Sequence, residues 1–191
     1  MSAPATEDSR PAAAAPTEAL AALDLFALGR QAAASRDARW NGRGFFAKTR
    51  AQADVIVPFP FQLGETDAER LARLAAIAAA QPAPWGIMPA PVGEPFGLDT
   101  LRCFALCRLA LPHVPHLLAD VNTLGPRLAQ MTFGFGADEV HAPIVAERAL
   151  RLGANANNPA LTRKEAVTLI RSAGLIPCER MADGSLQDVT P

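Results

Sequence analysis

The sequence predicts an α/β fold of parallel βα units, on three observations. Short apolar, β-branched segments alternate with longer helical ones, which is the pattern of strands joined by crossover helices. Two of the helices open on capping boxes, Thr66 with Glu69 and Thr162 with Glu165. Half of the 191 residues are hydrophobic, enough for the core of one compact domain and too few for two comfortable ones.

The elements follow in chain order. Residues 1–18 are rich in Ala and Pro and lack periodic large apolar side chains, so they read as a disordered tail ahead of a single domain spanning 19–191. From Leu20, the residues Leu23, Leu25, Phe26 and Leu28 give an amino-terminal helix an apolar side. Asn41 and Gly42 should stop it near Trp40. Asp54–Phe61, DVIVPFPF, fits a buried strand whose Pro58 and Pro60 lie toward its end. A helix over 67–80 follows the first capping box, with Leu71, Leu74, Ala75 and Ala78 at helical spacing.

Residues 81–97 hold five prolines and three glycines, and are expected to be an ordered loop anchored by Trp85, Ile87, Met88 and Phe96. Asp99 is placed to cap the next helix, LRCFALCRLAL, which is apolar on nearly every side and stops at Pro112. Val114–Ala119 reads as a strand and Asn122–Gln130 as a helix; GFGADEV leads to another short strand. Residues 142–152 and 162–173 read as helices, the second ending at Gly174.

Charge narrows the function. The 18 basic and 19 acidic residues are spread along the chain, so no electrostatic footprint for nucleic acid is visible. No apolar run approaches the ~20 residues that cross a bilayer. Acidic Glu7 and Asp8 stand where a secretory signal would be basic, and a soluble, cytoplasmic protein is expected. Cys103, Cys107 and Cys178 are an odd number without framework spacing, which suits a reducing compartment without structural disulfides.

Four segments resemble one family in order. LDLFALGRQAAASR is similar to the first helix, and VPFPFQLGET to a late strand end and turn, of the futalosine-pathway radical-SAM enzymes: aminofutalosine synthase, dehypoxanthine futalosine cyclase and the related deazaflavin-precursor synthase. LRCFALCRLALPHVPHLLADVNTLGPRLAQMTFGFGADEV resembles their helix, strand and helix with a Gly-Ala-Asp-Asp signature, and LTRKEAVTLIRSAGLIPCERMADGSLQDV their closing helix and tail. The resemblance implies a partial (βα) TIM-type barrel with parallel strands and an amino-terminal helix. Between that helix and the strand at Asp54 the family has most of its barrel, including Cys-x-x-x-Cys-x-x-Cys; here only WNGRGFFAKTRAQA intervenes. Cys103 and Cys107 have the spacing of the first two cluster ligands, but the third position is Ala110 and the two lie i, i+4 in one helix, where thiolates do not converge on a cluster. No iron–sulfur cluster is therefore expected, which puts S-adenosylmethionine binding in doubt as well.

The candidate site residues come from the same segments. His116 matches a residue near the family's pocket, set against a core histidine bonded to backbone. Arg108 matches an arginine of the family helix and is expected to pair with a carboxylate or cap carbonyls. Asp138 and Glu139 stand at the signature acids, expected at the carboxyl end of a late strand, where barrels place their chemistry, with the two side chains on opposite faces. His141 replaces the family's acid there. Arg108, His116, Asp138 and His141 are the candidate ligand-binding residues; His116, Asp138 and Glu139 are the candidate catalytic ones. His113, His116 and His141 with the two acids form no dedicated metal motif, and no native metal is expected.

The resemblance implies a catalytically degenerate relative, tied to menaquinone biosynthesis, that binds a full-length pathway enzyme or a nucleoside-like ligand. The alternative is a small cluster-independent acid/base enzyme on a futalosine-like substrate. The open edges of a partial barrel predict a homodimer.

Overall fold

The computed structural model describes residues 17–48, 55–80, 82–94, 96–146 and 160–189. Their main feature is a seven-stranded sheet in the order β2-β3-β4-β5-β1-β8-β9. The strands are β1 (Arg43–Ala47), β2 (Ile56–Phe61), β3 (Gly86–Pro91), β4 (His116–Asp120), β5 (Glu139–His141), β8 (Ile176–Arg180) and β9 (Leu186–Asp188). All neighbours pair parallel except β9, which runs antiparallel to β8. A two-stranded pair, β6 (Ile144–Val145) with β7 (Leu161–Thr162), stands apart. The sheet is open, as a partial TIM-type barrel requires.

The first strand was not expected. RGFFA follows directly on the stop at Asn41, in the left-handed region at φ 51, and Gly42 at φ 71. It inserts between β5 and β8, so the start of the chain pairs with its later strands. Gly44 permits this, because a Cβ there would lie 2.7 Å from Ile170 Cγ2.

The helices are α1 (Thr17–Ala21), α2 (Leu25–Trp40), α3 (Asp67–Ala78), α4 (Gly97–Ala110), α5 (Val121–Thr132) and α6 (Arg163–Ser172). The expected tail lies outside the described residues up to 16, and α1 begins within its last two. The single helix expected from Leu20 is two, because Asp24 accepts the Ala27 amide and caps a fresh start. Both capping boxes form as expected.

Three expectations are corrected. Residues 86–91 of the proline-rich stretch form β3, because Pro89 and Pro91 face a neighbour that pairs only with Gly86 and Ile87, so their missing N–H groups cost no ladder bond. Asp99 does not cap α4, which follows Phe96 without a side-chain cap; its carboxylate takes both oxygens to Arg70 Nη2, at 2.9 and 2.8 Å. In the expected helix over 142–152, Ile144–Val145 form β6 instead, and 147–152 lie outside the described residues.

The strands alternate between two environments. Phe46, Leu117, Ala119 and Val140 join Leu28, Phe104, Phe133 and Ile170 of the helical layer in one core. Phe45, Leu118, Glu139 and Cys178, which share a register, are equally buried on the opposite, inner face. Among the described residues no helix is long and apolar enough to cross a membrane.

Candidate functional site

Three of the expected residues meet in one buried network. His116 is the first residue of β4, Asp138 immediately precedes β5, and Arg108 reaches them from α4; they are 2%, 0% and 3% exposed. The Asp138 carboxylate accepts from His116 Nδ1 at 2.8 Å, from Arg108 Nη2 at 2.9 Å and from the Leu117 amide at 2.5 Å. Arg108 spends its remaining donors on carbonyls, Gly136 at 2.9 Å, Pro115 at 3.2 Å and Val114 at 3.4 Å. It thus does both things expected of it.

The imidazole is boxed by aromatics. Trp40, the last residue of α2, stacks on one face at 4.7 Å between centroids and 16° between planes. Trp85, just before β3, covers the other at 4.3 Å and 32°, while Phe45 of β1 meets the ring edge-on at 5.6 Å. Arg180, the last residue of β8, brings Nη2 to 2.9 Å from His116 Nε2. A guanidinium only donates. The same Nη2 lies 3.4 Å from Nδ1, so it rests against the ring between the two nitrogens and not along one lone pair, while Nδ1–H donates to the Asp138 carboxylate.

Burial alone would raise the Asp138 carboxyl, but the charge of Arg108 and the bonds from His116 and Leu117 outweigh it and hold the group below its ordinary value. Burial in turn lowers Arg108, against the pull of Asp138.

Two expectations about the acids change. The cluster occupies the amino end of β5 rather than its carboxyl end, because the chain reaches Asp138 straight from a left-handed turn at Gly136 and pairing into β5 starts at Glu139. Barrels use that end for stability. Asp138 and Glu139 do diverge, the first to Arg108 and the second to Arg180, yet both approach His116 Nδ1, at 2.8 and 3.9 Å. His141 closes β5 in register with Asp120, and among the described residues His116, Asp138 and Arg108 bond to one another and not to it. Trp40, Phe45, Trp85 and Arg180 were missed. The only signal for the tryptophans was that the chain has two, and β1 and β8, which carry Phe45 and Arg180, bring them in only through the sheet order.

Two open grooves lie away from this network. One, of about 410 Å³, is lined by Thr162, Arg163, Lys164 and Arg171 near Val189. The other, of about 800 Å³, runs beside Pro60, Leu63, Glu65 and Arg73.

No family model matches the chain. It is 37% identical over 86 residues to the aminodeoxyfutalosine synthase of Thermus thermophilus, covering 45% of this chain and 23% of that protein. The aminodeoxyfutalosine synthase of Streptomyces coelicolor is 33% identical over 85 residues, 44% of this chain and 22% of that protein. The chain is a partial-length relative of the futalosine-pathway radical-SAM enzymes. It is also 31% identical over 100 residues to a Methanosarcina barkeri protein named 5-amino-6-(D-ribitylamino)uracil--L-tyrosine 4-hydroxyphenyl transferase 1, covering 47% of this chain and 27% of that protein. The chain spans about a quarter of the length of these curated relatives.

The cysteines of this futalosine-enzyme relative do not fit an iron–sulfur cluster. All three are buried and free, Cys103 and Cys107 inside the core face of α4 and Cys178 on β8. Cluster ligation needs thiolates. Burial, then the bond to Cys107, raises Cys103 well above its ordinary value, and burial and Asp188 push Cys178 up to about 12. Anaerobic treatment of the purified chain with iron and sulfide is expected to leave it without stoichiometric cluster absorption; four irons per chain would overturn the assignment of these thiols to the core.

Proposed function

We propose that this futalosine-enzyme relative acts by binding rather than by radical chemistry, in menaquinone biosynthesis, on a nucleoside-like ligand or a full-length pathway enzyme. One observation carries the reading. The sheet and α4 keep an ordered network of Arg108, His116, Asp138 and Arg180, whereas all three thiols are buried and none stands beside the other two in a cluster-binding loop. Thermal-shift titration with adenosine, inosine and S-adenosylmethionine, together with pull-down of pathway enzymes by the intact chain, tests it. A stabilising shift with a nucleoside, or capture of a pathway enzyme, is expected; silence in both arms would remove the proposal.

The His116–Asp138 contact at 2.8 Å supports a second reading, cluster-free acid/base chemistry on a futalosine-like substrate. It requires Arg180 to leave Nε2, the nitrogen that would face substrate. Mass spectrometry of futalosine-like nucleosides incubated with the chain decides it, since turnover abolished by His116→Phe would favour this reading over binding alone.

The binding form is proposed to be a homodimer. The outer edge of β2 is a poor template for pairing, because Pro58 and Pro60 offer it no N–H and the Pro60 carbonyl accepts from Arg73 Nη1 at 2.7 Å. Association therefore uses a face, and exposed Leu63, Val92, Phe96 and Leu98 beyond the carboxyl ends of β2 and β3 supply apolar surface for it. Light scattering should give twice the 20.1 kDa chain mass at micromolar concentration; a monomer would refute the dimer.

A further inference from the structure

We propose that the groove along α6 is the docking surface for an acidic, partly apolar segment of a protein partner, with Lys164 and Arg171 meeting its carboxylates. The proposal rests on the protein-binding arm of the reading above and names the surface and the chemistry of that contact.

Lys164, Val167 and Arg171 stand at i, i+3 and i+7 of α6 and so share one of its sides. The groove of about 410 Å³ beside them is completed by Val145 and Ala146 at the end of β6 and by Val189 after β9, which gives it an aliphatic floor and a cationic rim. Among the described residues no acidic side chain lines it.

Its three cations are not equivalent. Arg163 is neutralised by Glu179, whose carboxylate lies 2.7 Å from Nε. Among the described residues Lys164 and Arg171 have no ion-pair partner, and Arg171 Nη2 donates to the Val189 carbonyl at 3.1 Å, which holds the guanidinium at the groove without cancelling its charge. Residues 147–159, next in the sequence after Ala146, add Arg148 and Arg151 against the single acid Glu147. Positive charge thus gathers here in a chain whose net charge is −1, and such a surface selects its occupant by charge.

The spacing narrows the occupant further. Seven helical residues separate the two cations by about 10.5 Å along α6. A segment in polyproline geometry places residues i and i+3 on one side, about 9.3 Å apart, so two acids at that spacing reach both cations and leave an aliphatic residue between them for the valines. Nucleic acid fits less well, because it is held by neutralising many phosphates and offers the valines nothing. The groove is also separate from Leu63, Val92, Phe96 and Leu98, which lie by β2 and β3 at the other edge of the sheet.

The test uses the intact chain and a Glu-Pro-Leu-Glu peptide, capped at both ends and carrying an uncharged fluorophore, with Gln-Pro-Leu-Gln and Lys-Pro-Leu-Lys peptides as controls. Fluorescence anisotropy at low ionic strength reads it. Saturable binding of the acidic peptide is expected, several-fold tighter than the neutral one and weakening as salt is added. Joint Lys164→Glu and Arg171→Glu substitution should weaken the acidic peptide about tenfold or more and, with the charges exchanged, should take the basic peptide in its place. Both side chains are exposed, so this variant should melt with the wild type; Lys164→Gln with Arg171→Gln keeps the test if it does not. Equal affinity for acidic and neutral peptides, unchanged affinity in the folded reversal variant, no saturable response, or tighter binding of a single-stranded oligonucleotide would overturn the proposal. Loss of a dimer in the reversal variant would make a second copy the occupant and overturn it too. Capture of a pathway enzyme that survives the double reversal would sink this proposal and leave the binding function standing; peptide binding without enzyme capture or a nucleoside shift would do the reverse.

Discussion

Asp138→Ala is expected to cost about 3–5 kcal/mol of unfolding free energy, the range for removing one partner of a buried ion pair. The loss goes beyond a single contact. Arg108, 3% exposed, would keep its charge with no carboxylate beside it, His116 Nδ1–H would lose its acceptor, and so would the Leu117 amide. Urea unfolding of the variant beside Arg108→Met and the double variant checks this. Because the two residues form one network, the double should cost clearly less than the sum of the singles. The pH dependence has a definite sign. The Asp138 carboxyl is held below its ordinary 3.8 in the folded chain, so its contribution is fully present above that value and is lost as pH falls through the lower folded one. The wild type should therefore lose stability more steeply than Asp138→Asn in acid below ~4. Parallel acid profiles would show that the carboxylate is not what the network depends on.

Gly136→Ala should cost about 2–4 kcal/mol, combining left-handed strain with overpacking. Gly136 has φ 94, and a Cβ there would meet Arg108 Cβ at 2.8 Å, Arg108 Cγ at 2.9 Å and Ala32 Cβ at 3.0 Å. Those atoms are the stem of the arginine that holds Asp138, so the chain cannot relieve the clash without moving the network. Gly134 is the matched control: two residues earlier, it has no positive φ and open space around its would-be Cβ. Gly134→Ala should stay within about 0.5 kcal/mol of the wild type. Equal melting temperatures for the two variants would refute the tight approach at Gly136.

Periodic and local signals were legible in the sequence. The capping boxes at Thr66 and Thr162, the Asn41–Gly42 stop and the ends of α3, α4 and α6 depend on residues within a few positions of one another, and these formed as expected. The similarity to the futalosine-pathway enzymes was legible too, because it is carried by residue order along the chain, as in the GFGADEV and PHVPHLLAD segments that resemble theirs. Sequence failed where a short apolar run had no periodicity of its own: RGFFA and GIMPAP became strands because neighbours 90 and more positions away in one case, and 30 in the other, supplied their ladders.

For this protein, the sequence by itself determined the α/β class, most helix termini and the family likeness, since each rests on neighbouring residues or on residue order. Only the tertiary structure decided that Arg108, Asp138 and His116 form one network, that it lies at the amino ends of β4 and β5, and that Trp40, Trp85 and Arg180 enclose it. The physical reason is the placement of β1 between β5 and β8. That pairing brings residues from both ends of the chain against one imidazole, and no local pattern records which strands will be neighbours or which donors burial will leave unpaired.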